Sequence, residues 1–137
     1  MKIPHDIILR MKRKKEHIGV SIVTLNDKDQ ILLGGRIELN EPLINTVKRE
    51  LLEETGVEAE IINYIGIVRE LQKSYTFIHF GFLVKKIKGE PKNMETSKCK
   101  GWNWYSFDKL PNNILPGHKA ILEIHLNPDA PSYKDLI

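Results

Sequence analysis

The feature that most constrains this chain is a cluster of carboxylates between Gly35 and Val57. Within it, the run Arg49-Glu50-Leu51-Leu52-Glu53-Glu54 carries three glutamates in five consecutive residues. Because residues three and four apart share a helix face, these side chains would lie together on a helix. Exposed like charges at that spacing repel by about a few tenths of a kcal/mol per pair. A bound cation would offset this repulsion.

Flanking residues predict a helix over about residues 42–55. Pro42 suits the first helical position, where its missing N–H would have no partner, and Asn40 or Glu41 can cap the turn before it. Gly56 can adopt the left-handed conformation that ends a helix. The predicted apolar stripe, which leaves the glutamates on another, accessible face, consists of Leu43, Val47, Leu51 and Leu52.

The acidic cluster has two interpretations. Hard divalent cations such as Mg²⁺ take oxygen ligands and are shared between carboxylates and substrate phosphates, where they activate water. A carbonyl of the Gly34-Gly35 pair could be a further ligand, because glycine allows a close backbone approach. The alternative is a Glu-rich helix that is simply solvated.

The spacing of these residues resembles the Nudix box. Every specified position of that family pattern is filled, by Gly35, Glu41, Arg49, Glu50, Leu51, Glu53, Glu54, Gly56 and Val57. The resemblance implies an α/β fold, the Nudix-type α/β/α sandwich with a mixed β-sheet. It also implies a strand–helix–loop box that binds Mg²⁺ or Mn²⁺ and cleaves a nucleoside diphosphate linked to another group.

The same resemblance implies roles for individual residues. Glu50, Glu53, Glu54 and the Gly35 carbonyl would hold the metal. Glu50, Glu53 and Arg49 would be catalytic, with Arg49 and Glu41 as an orienting ion pair. The sequence does not separate the general base from the metal ligands.

Composition predicts one domain over residues 1–137, with a basic arm at 1–17 and a proline-containing tail at 127–137. The chain is 41% hydrophobic and 28% charged, as in ordinary globular proteins. Its single cysteine, Cys99, fits a reducing cytoplasm, and no apolar run approaches the length of a bilayer span. The basic run Lys12 to Lys15 could contact nucleic acid. Without interleaved aromatic residues, a solvated face is the favoured interpretation.

Residues 18–25 read as a buried strand, 26–29 as a polar turn, and Gln30 to Leu33 as the start of a partner strand. Here the chain departs from the family pattern. Nudix proteins of the MutT type usually have a longer loop before the Gly-Gly pair, whereas this chain runs directly into Gly34-Gly35. The shorter connection would open one wall of the substrate pocket.

Residues 60–70 and 74–85 read as two strands joined near Gln72-Lys73. Alternation places Tyr75, Phe77, His79 and Gly81 on one face of the second strand, and aromatic residues on both faces indicate burial on both sides. Arg36 and His79 are predicted substrate contacts. The alternative for His79 is a core or pocket-wall histidine.

The stretch from Glu90 to Pro111 resembles a region of the MutT-like nucleoside triphosphate diphosphatases. The resemblance implies that Glu95 approaches the metal cluster and that Trp104 contacts the base. The alternative for Trp102 and Trp104 is a hydrophobic staple of the core. Residues 116–126 predict an amphipathic second helix with Ala120, Ile121, Ile124 and also Leu122 inward. The tail would pack on the surface or in a homodimer contact.

These features predict a Mg²⁺-dependent hydrolase that converts a nucleoside triphosphate, a small-molecule partner, to a monophosphate and pyrophosphate. Two alternatives remain. The run Gly34-Gly35-Arg36-Ile37 also resembles GDP-mannose hydrolases, which act on nucleoside diphosphate sugars, although those enzymes depart from the box at its glutamates. The second alternative is a binding module that senses a nucleotide or contacts RNA without turnover.

Overall fold

The apolar runs of the sequence form strands and the acidic stretch forms a helix. The computed structural model describes residues 15–25, 30–36, 40–92, 94, 108–109, 112 and 114–137. Within them, the strands are β1 (Lys15–Leu25), β2 (Gln30–Arg36), β3 (Glu58–Leu71), β4 (Tyr75–Lys88) and β5 (Tyr133–Leu136). The helices are α1 (Leu43–Thr55) and α2 (Pro116–Leu126).

The strands form one mixed sheet in the order β2-β1-β4-β3-β5. β1 and β2 are an antiparallel hairpin, as are β3 and β4, and the central pair β1–β4 is parallel. The predicted strand pairs are therefore confirmed, with β3 and β4 longer than expected. The predicted turn at residues 26–29 lies outside the described residues.

The two helices cover opposite faces of this sheet. On one face, α1 packs in a buried cluster formed by Val20, Ile22, Val47, Leu51, Val57, Phe82 and Val84. On the other, α2 packs in a cluster formed by Val23, Val68, Leu83, Ala120, Ile121, Leu122 and Ile124. Successive residues of β1 and β4 contribute to the two clusters in turn, because side chains alternate across a strand. The predicted α/β/α sandwich with a mixed sheet is confirmed.

The ends of α1 differ in detail from the prediction. Gly56 ends the helix with φ 75° and donates its N–H to the Leu52 carbonyl, as expected. Pro42 is the N-cap rather than the first helical residue, and no side chain caps the first turn, so the predicted cap by Asn40 or Glu41 is wrong. Leu52 is 50% exposed instead of inward.

The C-terminal segment contains a strand where the sequence predicted a tail. Tyr133–Leu136 form β5, which pairs in parallel with Ile67–Glu70 of β3. The predicted basic arm also overlaps the fold, since β1 begins at Lys15. Among the described residues, neither helix has the length and apolar character needed to cross a membrane.

Candidate active site

Arg49 lies at the centre of the acidic cluster on α1. Its Nε and Nη2 atoms donate to the two carboxylate oxygens of Glu41, at 2.8 and 2.9 Å. Its Nη1 donates to Glu50 Oε1 at 2.8 Å and to Glu53 Oε2 at 3.3 Å. The planar guanidinium therefore fixes three carboxylates relative to one another, since its donors have a rigid fork geometry.

The carboxylates around Arg49 also determine its protonation. Hydrogen bonding to Glu41 holds the Arg49 pKa well above its ordinary value, with further contributions from Glu50 and against a smaller effect of burial. The Glu41 side chain is only 13% exposed and that of Glu50 14%. Arg49 is therefore a permanent cation that offsets the repulsion among the glutamates.

Glu41 has a second partner in addition to Arg49. The hydroxyl of Thr46, a fully buried residue of α1, donates to Glu41 Oε1 at 2.7 Å. The turn before Glu41 is defined by Asn40, whose φ of 60° lies in the left-handed region. Asparagine tolerates this conformation better than most residues. The Asn40 turn therefore leads into Glu41, and the Thr46 hydroxyl fixes the Glu41 carboxylate that binds Arg49.

The remaining glutamates of the box lie one turn further along α1. Glu53 is 45% exposed at its side chain, and Glu54 is half-buried. Among the residues that the structure describes, no three His, Cys, Asp or Glu side chains are already arranged as a metal site. The donor set itself fits a hard divalent cation, because it consists of carboxylate oxygens and Glu50 and Glu53 converge on one nitrogen of Arg49.

Gly35 lies within β2, next to β1 in the sheet. It pairs with Val20 of β1, whose side chain belongs to the α1 cluster. The Gly34-Gly35 pair is part of β2 itself, so β2 continues through the position where a longer loop is usual. The strand that contains Gly35 lies beside α1.

The chain after β4 returns to the C-terminal end of α1. The Lys92 N–H donates to the Thr55 carbonyl at 2.8 Å, and the Met94 N–H donates to the Glu54 carbonyl at 3.1 Å. These bonds satisfy carbonyl groups that the helix leaves without partners. The residue after Met94 is the predicted ligand Glu95, which lies outside the described residues, as do Trp102 and Trp104 and the side chain of Arg36.

The structure places His79 on the α2 face of the sheet, opposite the glutamates of α1. The residue is 6% exposed and its ring stacks on Phe77 with a centroid distance of 4.2 Å. A Cβ atom at Gly117 would overlap the His79 ring, so the histidine packs directly on the first turn of α2. This position favours the core-histidine alternative over contact with substrate beside α1.

Two histidines and a serine form a largely buried polar group beside Gly117. His118 of α2 hydrogen-bonds through Nδ1 to Ser21 Oγ at 2.6 Å, and its ring lies 5.7 Å from that of His79. Burial, with repulsion from His79, lowers the His118 pKa to about 4. Burial also lowers the His79 pKa, against a smaller opposite effect of Glu70. Both rings are therefore neutral at neutral pH.

Two surface cavities lie beside α2 rather than beside the glutamates of α1. One of about 350 Å³ is lined by residues that include Tyr64, Lys85 and His125, and one of about 300 Å³ by residues that include Glu123 and Tyr133. No glutamate of α1 lines either cavity.

The sequence did not predict a role for Thr46 or the hydrogen bond between Ser21 and His118. Thr46 had a detectable signal, because it is a polar residue beside Val47 on the inward side of the predicted helix. Ser21 and His118 are 97 residues apart, so only the packing of α2 on β1 brings them together.

Comparison with known proteins gives a consistent result. A family model described as the NUDIX domain matches residues 8–124. A putative 8-oxo-dGTP diphosphatase of Bacillus subtilis is 28% identical over 114 residues, which cover 74% of this chain and 74% of that protein. An 8-oxo-dGTP diphosphatase of Buchnera aphidicola is 34% identical over 62 residues, 45% of this chain and 50% of its own length.

The solved structures agree in fold. A MutT NUDIX hydrolase from Burkholderia pseudomallei superimposes with a TM-score of 0.74 at 21% identity, over 80% of this chain and 98% of that one. This chain therefore shares the fold of a solved Nudix structure, in addition to carrying the sequence motif.

Proposed function

Because the chain belongs to the NUDIX domain family, as a MutT-like Nudix pyrophosphohydrolase, we propose that it hydrolyses a nucleoside triphosphate to a monophosphate and pyrophosphate. In this reaction a water oxygen bonds to one phosphorus while a bridging phosphorus–oxygen bond breaks. The observation that carries the proposal is the arrangement in which Glu41 holds Arg49, and Arg49 in turn holds Glu50 and Glu53.

We propose that Glu50, Glu53 and Glu54 hold Mg²⁺, or Mn²⁺ in its place, together with the Gly35 carbonyl. Glu95 is the fifth proposed ligand, supported by the family resemblance and by the bond that ties its neighbour Met94 to Glu54. When bound, the ion would neutralise phosphate charge and lower the pKa of a water molecule.

The protein side chains have distinct proposed tasks. Arg49 keeps its charge at any working pH and orients both Glu50 and Glu53, so positioning is its main contribution. Glu53 is more exposed than Glu50 and accepts a longer bond from Arg49. Besides its proposed contact with the metal, Glu53 is therefore our candidate for the base that takes the proton of the attacking water, whereas Glu50 is proposed as a ligand held in place.

The substrate class is proposed from two sources. The names of two of the matched relatives specify 8-oxo-dGTP, and the complete set of box glutamates argues against the GDP-mannose type. Arg36 and Trp104 remain predicted substrate contacts on the sequence alone. His79 remains a weaker one, because its ring lies on the face opposite α1. A cytoplasmic location likewise remains a prediction.

The decisive experiment is a product assay over a substrate panel. The purified chain would be incubated with 8-oxo-dGTP, ordinary nucleoside triphosphates and GDP-mannose, with and without Mg²⁺, while pyrophosphate and phosphate are measured separately. We expect Mg²⁺-dependent release of pyrophosphate from a triphosphate. Turnover of GDP-mannose alone would support the sugar alternative. Retention on RNA at physiological salt without any hydrolysis would support the binding module.

The variant Glu54→Gln tests whether the box glutamates are responsible. We expect it to lower kcat by about 100-fold or more, because the charge that stabilises the reaction is lost. Glu123→Gln is the matched control, an exposed glutamate on α2 and on the other face of the sheet. Unchanged turnover in Glu54→Gln, at an unfolding free energy equal to that of the original chain, would refute the assignment.

A further inference from the structure

We propose that Thr46 is a positioning residue of this site, through a hydroxyl that sets the orientation of Glu41 and thereby of the Arg49 guanidinium. The inference rests on the proposed function and adds a residue outside the family's specified positions. The Thr46 hydroxyl bonds Glu41, and Glu41 bonds Arg49, so the effect of Thr46 passes through that carboxylate and the arginine.

The hydroxyl of Thr46 has one proton to donate and two acceptors within reach. Glu41 Oε1 lies at 2.7 Å and the Pro42 carbonyl at 3.4 Å. The shorter contact to a charged oxygen is the stronger bond, so the proton goes to Glu41. The backbone N–H of Thr46 already bonds the same Pro42 carbonyl at 3.1 Å, which leaves the hydroxyl for the carboxylate.

The hydrogen bond from Thr46 to Glu41 affects the orientation of the Arg49 guanidinium. Glu41 Oε1 accepts from both Thr46 Oγ1 and Arg49 Nη2, while Oε2 accepts from Arg49 Nε. A carboxylate held at one oxygen by a buried hydroxyl cannot rotate without breaking that bond. Because the guanidinium is rigid and planar, the orientation of Glu41 also sets the direction of Nη1, which holds Glu50 and Glu53.

The burial of Thr46 indicates that its hydroxyl does more than fill space. Thr46 is fully buried on the inward side of α1, next to Val47 in the apolar cluster. A valine would fill the same volume without the cost of removing a hydroxyl from water. β-Branched residues are also modest helix formers, so helix propensity does not explain the threonine.

The test compares Thr46→Val, Thr46→Ser and a control on the same helix. Thr55→Val is the control, because Thr55 is equally buried and its hydroxyl donates to the Leu51 carbonyl at 2.6 Å instead of to a carboxylate. Each chain is assayed for kcat and KM, for Mn²⁺ affinity by electron paramagnetic resonance without nucleotide, and for exchange of the Arg49 Nε proton by NMR. Unfolding in urea measures stability.

We expect Thr46→Val to lower kcat about tenfold, to weaken Mn²⁺ binding several-fold, and to change the nucleotide KM little. Exchange of the Arg49 Nε proton should accelerate. Thr46→Ser, which keeps the hydroxyl, should recover most of both losses. Thr55→Val should lower stability without these effects.

Two outcomes would overturn the inference. One is equal Mn²⁺ affinity and equal Arg49 proton exchange in the original chain and Thr46→Val. The other is an equal loss of kcat in Thr55→Val, which would indicate general loosening of the helix. If the original chain hydrolyses no nucleotide, the proposed function fails, while Mn²⁺ affinity and proton exchange still decide the role of Thr46.

Discussion

The guanidinium of Arg49 shows how much one side chain can organise. Its hydrogen bonds reach Glu41, Glu50 and Glu53, and a lysine at this position could not reproduce the planar fork. We expect Arg49→Lys to lower kcat by about tenfold or more, because an ammonium group cannot orient several carboxylates at once. Steady-state kinetics measure the effect.

Arg69→Lys is the matched control for this change. Arg69 pairs with Asp135 at 3.0 Å, and both side chains are about half exposed, so its substitution should leave kcat unchanged. Equal kcat in Arg49→Lys and the original chain would contradict the role assigned to the arginine fork.

Thr24, unlike Arg49, has a polar group that makes no hydrogen bond to any residue that the structure describes. It is fully buried, and within the described part of the chain its hydroxyl oxygen has no hydrogen-bond partner. Thr24→Val should raise the unfolding free energy by about 1 kcal/mol, since an isosteric methyl group removes the desolvation cost. Urea denaturation measures this. A lower stability would show that the hydroxyl has a partner, as that of Thr55 has.

At the scale of elements, the packing of α2 on the sheet should be sensitive to pH. The folded-state pKa values of His118 and His79 lie below their ordinary values. The unfolded chain therefore binds more protons below about pH 6.5, and stability should fall as pH decreases from there towards about 4. The contribution of His118 amounts to about 3 kcal/mol at most.

Urea denaturation at about pH 7.5 and pH 5 measures this loss. The variant His118→Gln keeps a polar side chain without a titrating ring, and its stability should depend less steeply on pH over the same interval. An equal pH dependence in both chains would show that His118 does not supply the effect.

At the scale of the whole molecule, β5 closes the edge of the sheet beside β3. The Ile67 N–H donates to the Ser132 carbonyl at 2.9 Å, and Leu136 packs on the α2 cluster. A chain ending at residue 130 should lose about 2 kcal/mol of stability, because it loses this apolar contact and the edge pairing. Faster exchange of the Ile67 amide should accompany the loss.

Asp135→Asn separates strand pairing from the ion pair in β5. Its partner Arg69 is exposed, so the substitution should change stability by less than about 0.5 kcal/mol. A truncated chain as stable as the original, with the Ile67 amide still protected, would show that β5 contributes nothing to the closure of the sheet.

The sequence predicted α1 closely because its signals are local. Proline before the helix, glycine after it and the 3.6-residue period all act within a few residues, and the observed helix begins one residue later than expected. The exposed Leu52 was wrongly placed inward, since the position lies at the margin of the apolar stripe and only contact with the sheet decides it. The same dependence on packing explains why the short strand β5 was read as a tail.

By itself, the sequence determined the acidic helix, the spacing of its glutamates around Arg49, and the alternation of the strands, because these depend on neighbours along the chain. Only the tertiary structure decided that Ser21 meets His118, that His79 lies under α2 on the face opposite the box glutamates, and that the C-terminal residues complete the sheet. Each of these depends on which surfaces meet when distant segments pack, and no local pattern encodes that choice.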